Sequence, residues 1–155
     1  FSKIMRQTLE SSYLEKHSIN DEVIYLKEYL DLNLLDNPIK YSYDFYFENI
    51  NDLDEIEIPI MLIQPFVENT IEHGFSNINY LGKIEIIFCK KDINLEIRVK
   101  DNGSKSSKNI QNHTPRALQI ITDRLYLLNQ NNKQKANFNA NFSVNGAEVI
   151  INLPL

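Results

Sequence analysis

Two short stretches carry most of the chemistry available to this 155-residue chain. The first is PFVENTIEHGF, Pro65 to Phe75. Phe66, Val67 and Ile71 recur at helical spacing and want a core, yet Glu68, Asn69, Glu72 and His73 crowd the flank of the same segment. One helical turn brings Asn69 beside Glu72 and His73 and stacks Glu68 on Glu72 at i, i+4. Two carboxylates so placed repel unless water or a cation lies between them. A hard cation such as Mg2+ prefers oxygen ligands and keeps several waters, so an amide oxygen and a carboxylate suffice beside a substrate phosphate. The alternative is the solvated face of an amphipathic helix.

The second stretch is LEIRVKDNG, Leu95 to Gly103. In a strand, Leu95, Ile97, Val99 and Asp101 point one way, and Asn94, Glu96, Arg98 and Lys100 the other. Asp101 therefore puts a carboxylate at the rim of the core, where it needs a hydrogen-bond donor. A ligand with an exocyclic amine, such as adenine, supplies one; the turn chemistry of Asp-Asn-Gly is the alternative. Gly103 permits close backbone approach or a positive φ.

Other chemistries fit less well. NTIEH is one residue away from a His-x-x-Glu-His zinc pattern, but its first position is Asn69, and His17, His73 and His113 are the only histidines. Neither a Gly-x-x-x-x-Gly-Lys loop nor a Gly-x-Ser-x-Gly elbow is present. The net charge of −5 argues against nucleic-acid binding. Charge is uneven: residues 1–97 hold 8 basic and 18 acidic side chains, residues 98–155 hold 8 and 3. The basic cluster from Arg98 to Lys135 reads either as solvated surface or as a region that meets a polyphosphate. The single cysteine, Cys89, forms no internal disulfide, fits a reducing compartment and reads as a buried bystander. No apolar run approaches the length of a membrane span and no signal-peptide pattern opens the chain. A start at Phe1 rather than Met raises the expectation of a piece of something longer.

Periodicity predicts the elements that must hold these residues. Residues 2–16 read as a helix through Ile4, Met5, Leu9 and Tyr13. SIND resembles a capping box and precedes a second helix from Asp21 to Leu35. Its expected apolar stripe is Ile24, Leu26, Leu30, Leu32 and Leu35, and its expected wet face Glu22, Lys27, Glu28 and Asp31. YSYDFYFE switches to a period of two, with Tyr41, Tyr43, Phe45 and Phe47 on one strand face. Pro59 is expected to open the Asn69 helix, Pro65 to bend its first turns and Gly74 to cap its end. KIEIIFCK and INLEIRVKD read as strands, and DNGSKSSKNIQNHTP as a long lid or binding loop. A final helix over 115–129 carries Leu118, Ile121, Leu125 and Leu128. ANFNANFSV and AEVIINLPL, split by Asn145-Gly146, read as a hairpin. Helices and strands interspersed without strict βαβ alternation predict a mixed or antiparallel sheet with helices on one face.

EVIYLKEYLDLN, IPIMLIQPFVENTIEHG, VKDNG, ITDRLYLLN and GAEVIINLPL stand in the order found in sensor histidine kinases of the LytS-like, autolysin-sensor type, and the sequence resembles that family over nearly its whole length. The resemblance implies an α+β fold, a two-layer α/β sandwich of the Bergerat-type GHKL ATPase class, with a mixed sheet and helices on one face. It implies the catalytic, ATP-binding domain of a two-component kinase, which passes phosphate from ATP to a histidine and then to a response regulator. ATP and Mg2+ are the implied cofactors, and a homodimer through upstream helices the implied assembly. Residues 1–36 are then a helical segment leading from the dimerisation and phosphoacceptor region, and residues 37–155 the ATP-binding domain. The implied location is the cytoplasmic side of a membrane-anchored sensor.

Position by position, Asn69 matches the family asparagine that ligates Mg2+, and Glu68 the acidic residue before it; the resemblance makes these two the catalytic pair. His73 stands where the family places a ring near the nucleotide. Asp101 matches the aspartate that accepts from the adenine amine, and Gly103 the glycine behind the base. Ser104 to Thr114 corresponds to the ATP lid, whose Lys105 and Lys108, with Arg116 beyond, are placed to meet phosphates. Leu118 is what survives of the second glycine box.

Departures are as informative. The family usually has a basic residue where Glu72 stands, and Lys105 replaces the second glycine after Asp101. PRALQI replaces a Gly-x-Gly-Leu-x-Asn pattern, so Pro115 lacks an N–H and Ala117 adds a Cβ. Losing several backbone contacts to phosphate, at about 0.5–1.5 kcal/mol each, weakens ATP binding by orders of magnitude. None of the histidines has the context of the family's phosphoacceptor. The alternative expectation is a degenerate pseudokinase domain that keeps the fold and acts through protein–protein interaction.

Overall fold

The structure is a computed structural model that describes residues 15–104, 116–130 and 133–155. The helix predicted over 2–16 therefore lies almost wholly outside the described residues, and Lys16–Ser18 is a short strand, β1. Helix α1 follows over Ile19–Asp36, its N-terminus capped by Ser18, whose Oγ accepts from the Asp21 N–H at 3.0 Å. Strand β2 runs Tyr41–Glu48 and β3 Glu57–Pro59. Helix α2, Gln64–Asn69, continues into a π-helical turn over Thr70–Gly74. Strands β4, Gly82–Lys91, and β5, Asn94–Asp101, are followed by α3, Arg116–Asn129. Strands β6, Asn137–Ser143, and β7, Gly146–Pro154, form the terminal hairpin.

A five-stranded sheet in the order β2-β4-β5-β7-β6 organises the described residues. Strand β2 runs parallel to β4, and every other pairing in it is antiparallel. The register lines Phe47, Phe88, Ile97, Ile151 and Phe138 into one cross-strand row, and Ile86, Val99, Val149 and Ala140 into the next. Apart from Phe47, which is exposed, those rows share a core with Leu26 and Leu30 of α1, Phe66 and Val67 of α2, and Ile121 and Leu125 of α3. Burying each such side chain contributes about 1.5–3 kcal/mol. The helices thus cover one face of a mixed sheet, the α+β arrangement expected from the sequence. The Tyr41 hydroxyl donates toward the Leu30 carbonyl at 3.0 Å and the Asn33 side-chain oxygen at 2.9 Å, tying β2 to α1. A second small sheet pairs β1 with β3, burying Ile58.

Several local expectations are corrected. The apolar stripe of α1 is Ile19, Val23, Leu26 and Leu30, whereas Ile24, Leu32 and Leu35 face outward. Glu22, assigned to the wet face, is 1% exposed. Pro59 ends β3 instead of opening a helix, and Pro65 sits in the first turn of α2, where its missing N–H leaves no helical bond broken. Gly74 does not cap through a positive φ; the helix widens to a π turn closed by the Phe75 N–H on the Thr70 carbonyl at 2.9 Å. The hairpin turns at Val144-Asn145, with Gly146 already paired to Ser143.

Candidate functional site

Asp101 is the last residue of β5, on the same side as Leu95, Ile97 and Val99, so the strand carries its carboxylate to the core rim. Two donors hold it there. Thr70 Oγ1 donates to Oδ2 at 2.6 Å, and the Gly103 N–H donates to Oδ1 at 2.9 Å. The second bond is a local turn interaction, so Asp-Asn-Gly performs turn chemistry and site placement together. Asn102 fixes the other side of the turn, its Oδ1 accepting from the Lys83 N–H at 2.7 Å.

Gly103 explains why β5 and α2 lie so close. A Cβ there would stand 2.6 Å from the Gly74 carbonyl oxygen, and the next residue, Ser104, donates its N–H to that oxygen at 2.8 Å. The φ of Gly103 is not positive; contact between backbones demands the glycine. The two polar stretches of the sequence therefore meet, through Thr70–Asp101 on one side and Gly74–Gly103 on the other.

Asn69 is the junction of two hollows. With Thr70, Asp101, Phe66 and the β6–β7 residues Phe142 and Ala147, it lines a small one of about 10 Å³, room for a single water. It also lines a cleft of about 800 Å³ between α2 and α3, where Glu68, Glu72 and His73 face Arg116 and Arg124. The π turn begins directly after Asn69, a device frequent at functional sites. Met61 at the cleft has φ 58, unusual for a side chain of its size.

Each predicted site residue has a definite place. Glu68, Asn69 and His73 share the large cleft; Asn69 and Asp101 share the small hollow; Gly103 backs Asp101. Leu118 lines neither hollow and packs half-buried against the core. Lys105, with Lys108 and nearly all of the proposed lid, lies outside the described residues.

Three neighbours escaped the sequence reading. Thr70 orients Asp101. Gln64 is buried and donates through Nε2 to Glu68 Oε1 at 2.8 Å, which aims that carboxylate. Arg124, 2% exposed, joins the cleft wall; an arginine inside the apolar stripe of ITDRLYLL was the available signal. Burial, and then the Glu68 and Glu72 charges, raise the pKa of Tyr29 on α1, so the electrostatic reach of the acidic pair extends to that helix. Among the described residues, no group of three or more His, Cys, Asp or Glu side chains is gathered to hold a metal alone. No described helix is long and apolar enough to cross a membrane.

Solved structures share this architecture. The histidine kinase domain of the Erythrobacter litoralis EL346 blue-light activated histidine kinase aligns at a TM-score of 0.60 and 17% identity, over 85% of this chain and 64% of that one. The catalytic domain of histidine kinase ThkA aligns at 0.55 and 18% identity, over 90% and 95% respectively. The fold is that of histidine kinase catalytic domains, the α+β GHKL class.

Sequence comparison narrows the class. The sensor protein LytS of Oceanobacillus iheyensis is 32% identical over 102 residues, 66% of this chain and 17% of that protein. LytS of Bacillus subtilis is 29% identical over 85 residues, 55% and 14%, and the sensor histidine kinase/phosphatase LytS of Staphylococcus aureus strain Mu50 28% over 109, 69% and 18%. The chain resembles a stretch of the LytS-like sensor histidine kinases. These alignments span under a fifth of each of those relatives. No protein-family model matches the chain.

Proposed function

We propose that this chain is the Mg-ATP-binding catalytic domain of a two-component sensor histidine kinase, phosphorylating a histidine upstream and, through it, a response regulator. The observation that carries the reading is the position of Asn69 on both hollows, with the anchored Asp101 carboxylate in one and two arginines in the other.

The donor set fits. Each Asp101 oxygen accepts one hydrogen bond from the protein and keeps a lone pair for an adenine amine. Gly103 lets the Gly74 backbone pack directly against the turn that carries Asp101, a close approach any Cβ would block. The 10 Å³ at Asp101 is smaller than a purine, so ligand entry requires side chains that line the hollow to move. Asn69 presents an amide oxygen to a cation that takes its other ligands from phosphate and water. Glu68, anchored through Oε1 by Gln64, keeps Oε2 for a proton from the attacking imidazole. When bound, Mg-ATP supplies the phosphoryl group and the ion neutralises its charge. The whole sensor is proposed to be a membrane-anchored homodimer with this domain on the cytoplasmic side.

A second reading, a degenerate domain that binds a partner protein, draws on Glu72 in the cleft wall and the near-closed hollow at Asp101. Calorimetry with Mg-ATP separates the two. Saturable binding that Asp101→Asn abolishes supports the kinase reading; no heat at millimolar nucleotide supports the degenerate one.

A further inference from the structure

We infer that Arg124 is an anion-binding residue of the cleft, gripping phosphate oxygens of the nucleotide from the α3 wall. The inference deepens the proposed function and rests on it for the identity of the anion.

The cleft is electrostatically divided. Its α2 wall carries Glu68 and Glu72, and its α3 wall carries Arg116 and Arg124. A polyphosphate is repelled by the first wall except where a cation at Asn69 bridges it, and is attracted by the second. Arg116 and Arg124 lie eight residues apart, about 12 Å along a helix axis. Arg116 is exposed at the start of α3, whereas Arg124 is 2% exposed between Ile121 and Leu125. The deeper cation meets an anion with little water between them, where a charge-assisted bond is strongest.

A buried guanidinium needs opposite charge nearby. Glu22, 1% exposed, supplies part of it. Burial raises the Glu22 pKa, while the His17 hydrogen bond, the His17 charge and then the Arg124 charge oppose the rise. One Glu22 oxygen is 2.5 Å from His17 Nε2, and the other has no hydrogen-bond partner among the described residues. Glu22 thus lies between His17 and Arg124, which favour its charged form against the cost of burial. A planar guanidinium offers five N–H donors in a fork matched to phosphate as well as carboxylate. Arg124 is therefore built to face the core counter-ion on one side and a cleft anion on the other. It takes over electrostatically where Ala117 and Pro115 leave a phosphate without glycine backbone amides.

The test is calorimetry on the intact chain with Mg-ATP, adenosine and inorganic tripolyphosphate as separate probes. Because Arg124→Ala strands Glu22, two other variants are used: Arg124→Lys, and the double Glu22→Gln, Arg124→Met, which removes both buried charges. Denaturant unfolding confirms that each folds. The expected result is a loss of tenfold or more in Mg-ATP and tripolyphosphate affinity in the double variant, a smaller loss in Arg124→Lys, and adenosine binding within twofold of wild type. Unchanged Mg-ATP affinity in the folded double variant overturns the inference and leaves the proposed function standing. Equal losses for adenosine and Mg-ATP also overturn it, since they mean that Arg124 only supports the fold. If wild type binds neither Mg-ATP nor adenosine, the proposed function fails, and tripolyphosphate decides Arg124 alone: binding lost in the double variant supports it, no binding to wild type ends it.

Discussion

Gly103→Ala is the sharpest single test of how the site is assembled. The added Cβ would lie 2.6 Å from the Gly74 carbonyl oxygen, 2.8 Å from its carbon and 2.9 Å from its Cα. All are backbone atoms, so no rotamer relieves the clash, and the chain must part by several tenths of an ångström. Overpacking of this kind costs about 1–3 kcal/mol. Separation also stretches the Ser104 N–H bond to Gly74 and the Gly103 N–H bond to Asp101, at 2.8 and 2.9 Å. Each is worth about 0.5–1.5 kcal/mol, and more where the acceptor is charged. The summed destabilisation is about 2–5 kcal/mol. It is read as a fall in urea midpoint at unchanged slope, together with weakened Mg-ATP binding in the fraction that stays folded. A variant within 0.5 kcal/mol of wild type by the same assay, an ordinary surface effect, binding Mg-ATP equally well, would refute the claim that backbone contact at Gly74 sets the position of Asp101.

Other substitutions probe the same frame. Thr70→Val removes the 2.6 Å bond to Asp101 Oδ2; a loss of about 1–3 kcal/mol in denaturant unfolding is expected, and no loss means that water satisfies the carboxylate. Gly146→Ala meets both a φ of +144° and an Asp101 carbonyl 2.3 Å from the new Cβ; a drop of about 1–3 kcal/mol and a disturbed Asp101 amide resonance should appear together. Burial pushes the Glu96 carboxyl up, but hydrogen bonds from Lys91 at 2.7 Å and Arg98 at 2.6 Å, with their charges, bring it below the usual range. A lowered folded pKa gives stability that is present above the unfolded value of about 4.3 and lost as pH falls through the folded one. Glu96→Gln should therefore destabilise at neutral pH and flatten the acid limb of a stability–pH curve; an unchanged acid limb contradicts the pairing.

Much of the architecture was legible because strand and helix periods are local. The alternation in YSYDFYFE and LEIRVKD placed Tyr41, Leu95, Ile97 and Val99 inward, though Phe47 is exposed and Glu96 is buried, both contrary to it, and the side of β5 on which Asp101 lies followed from parity alone. The α1 stripe was misread because EYLDLNLLD offers more apolar residues than one face can bury. Choosing between Leu26 and Leu30, which are buried, and Leu32 and Leu35, which are exposed, needed the tertiary packing. Glu22 went inward for a similar reason: its partners, His17 and Arg124, come from other elements.

The sequence by itself determined which residue types were available for nucleotide chemistry, their faces on each element and the family they resemble, because side-chain parity and helical spacing act over a few residues. Only the tertiary structure decided that Thr70 bonds Asp101 across 31 positions, that Gly103 rests on Gly74, and that a buried arginine completes the cleft. Those contacts depend on strand order and backbone separation, which no local pattern encodes, and they turn two polar stretches into one candidate site.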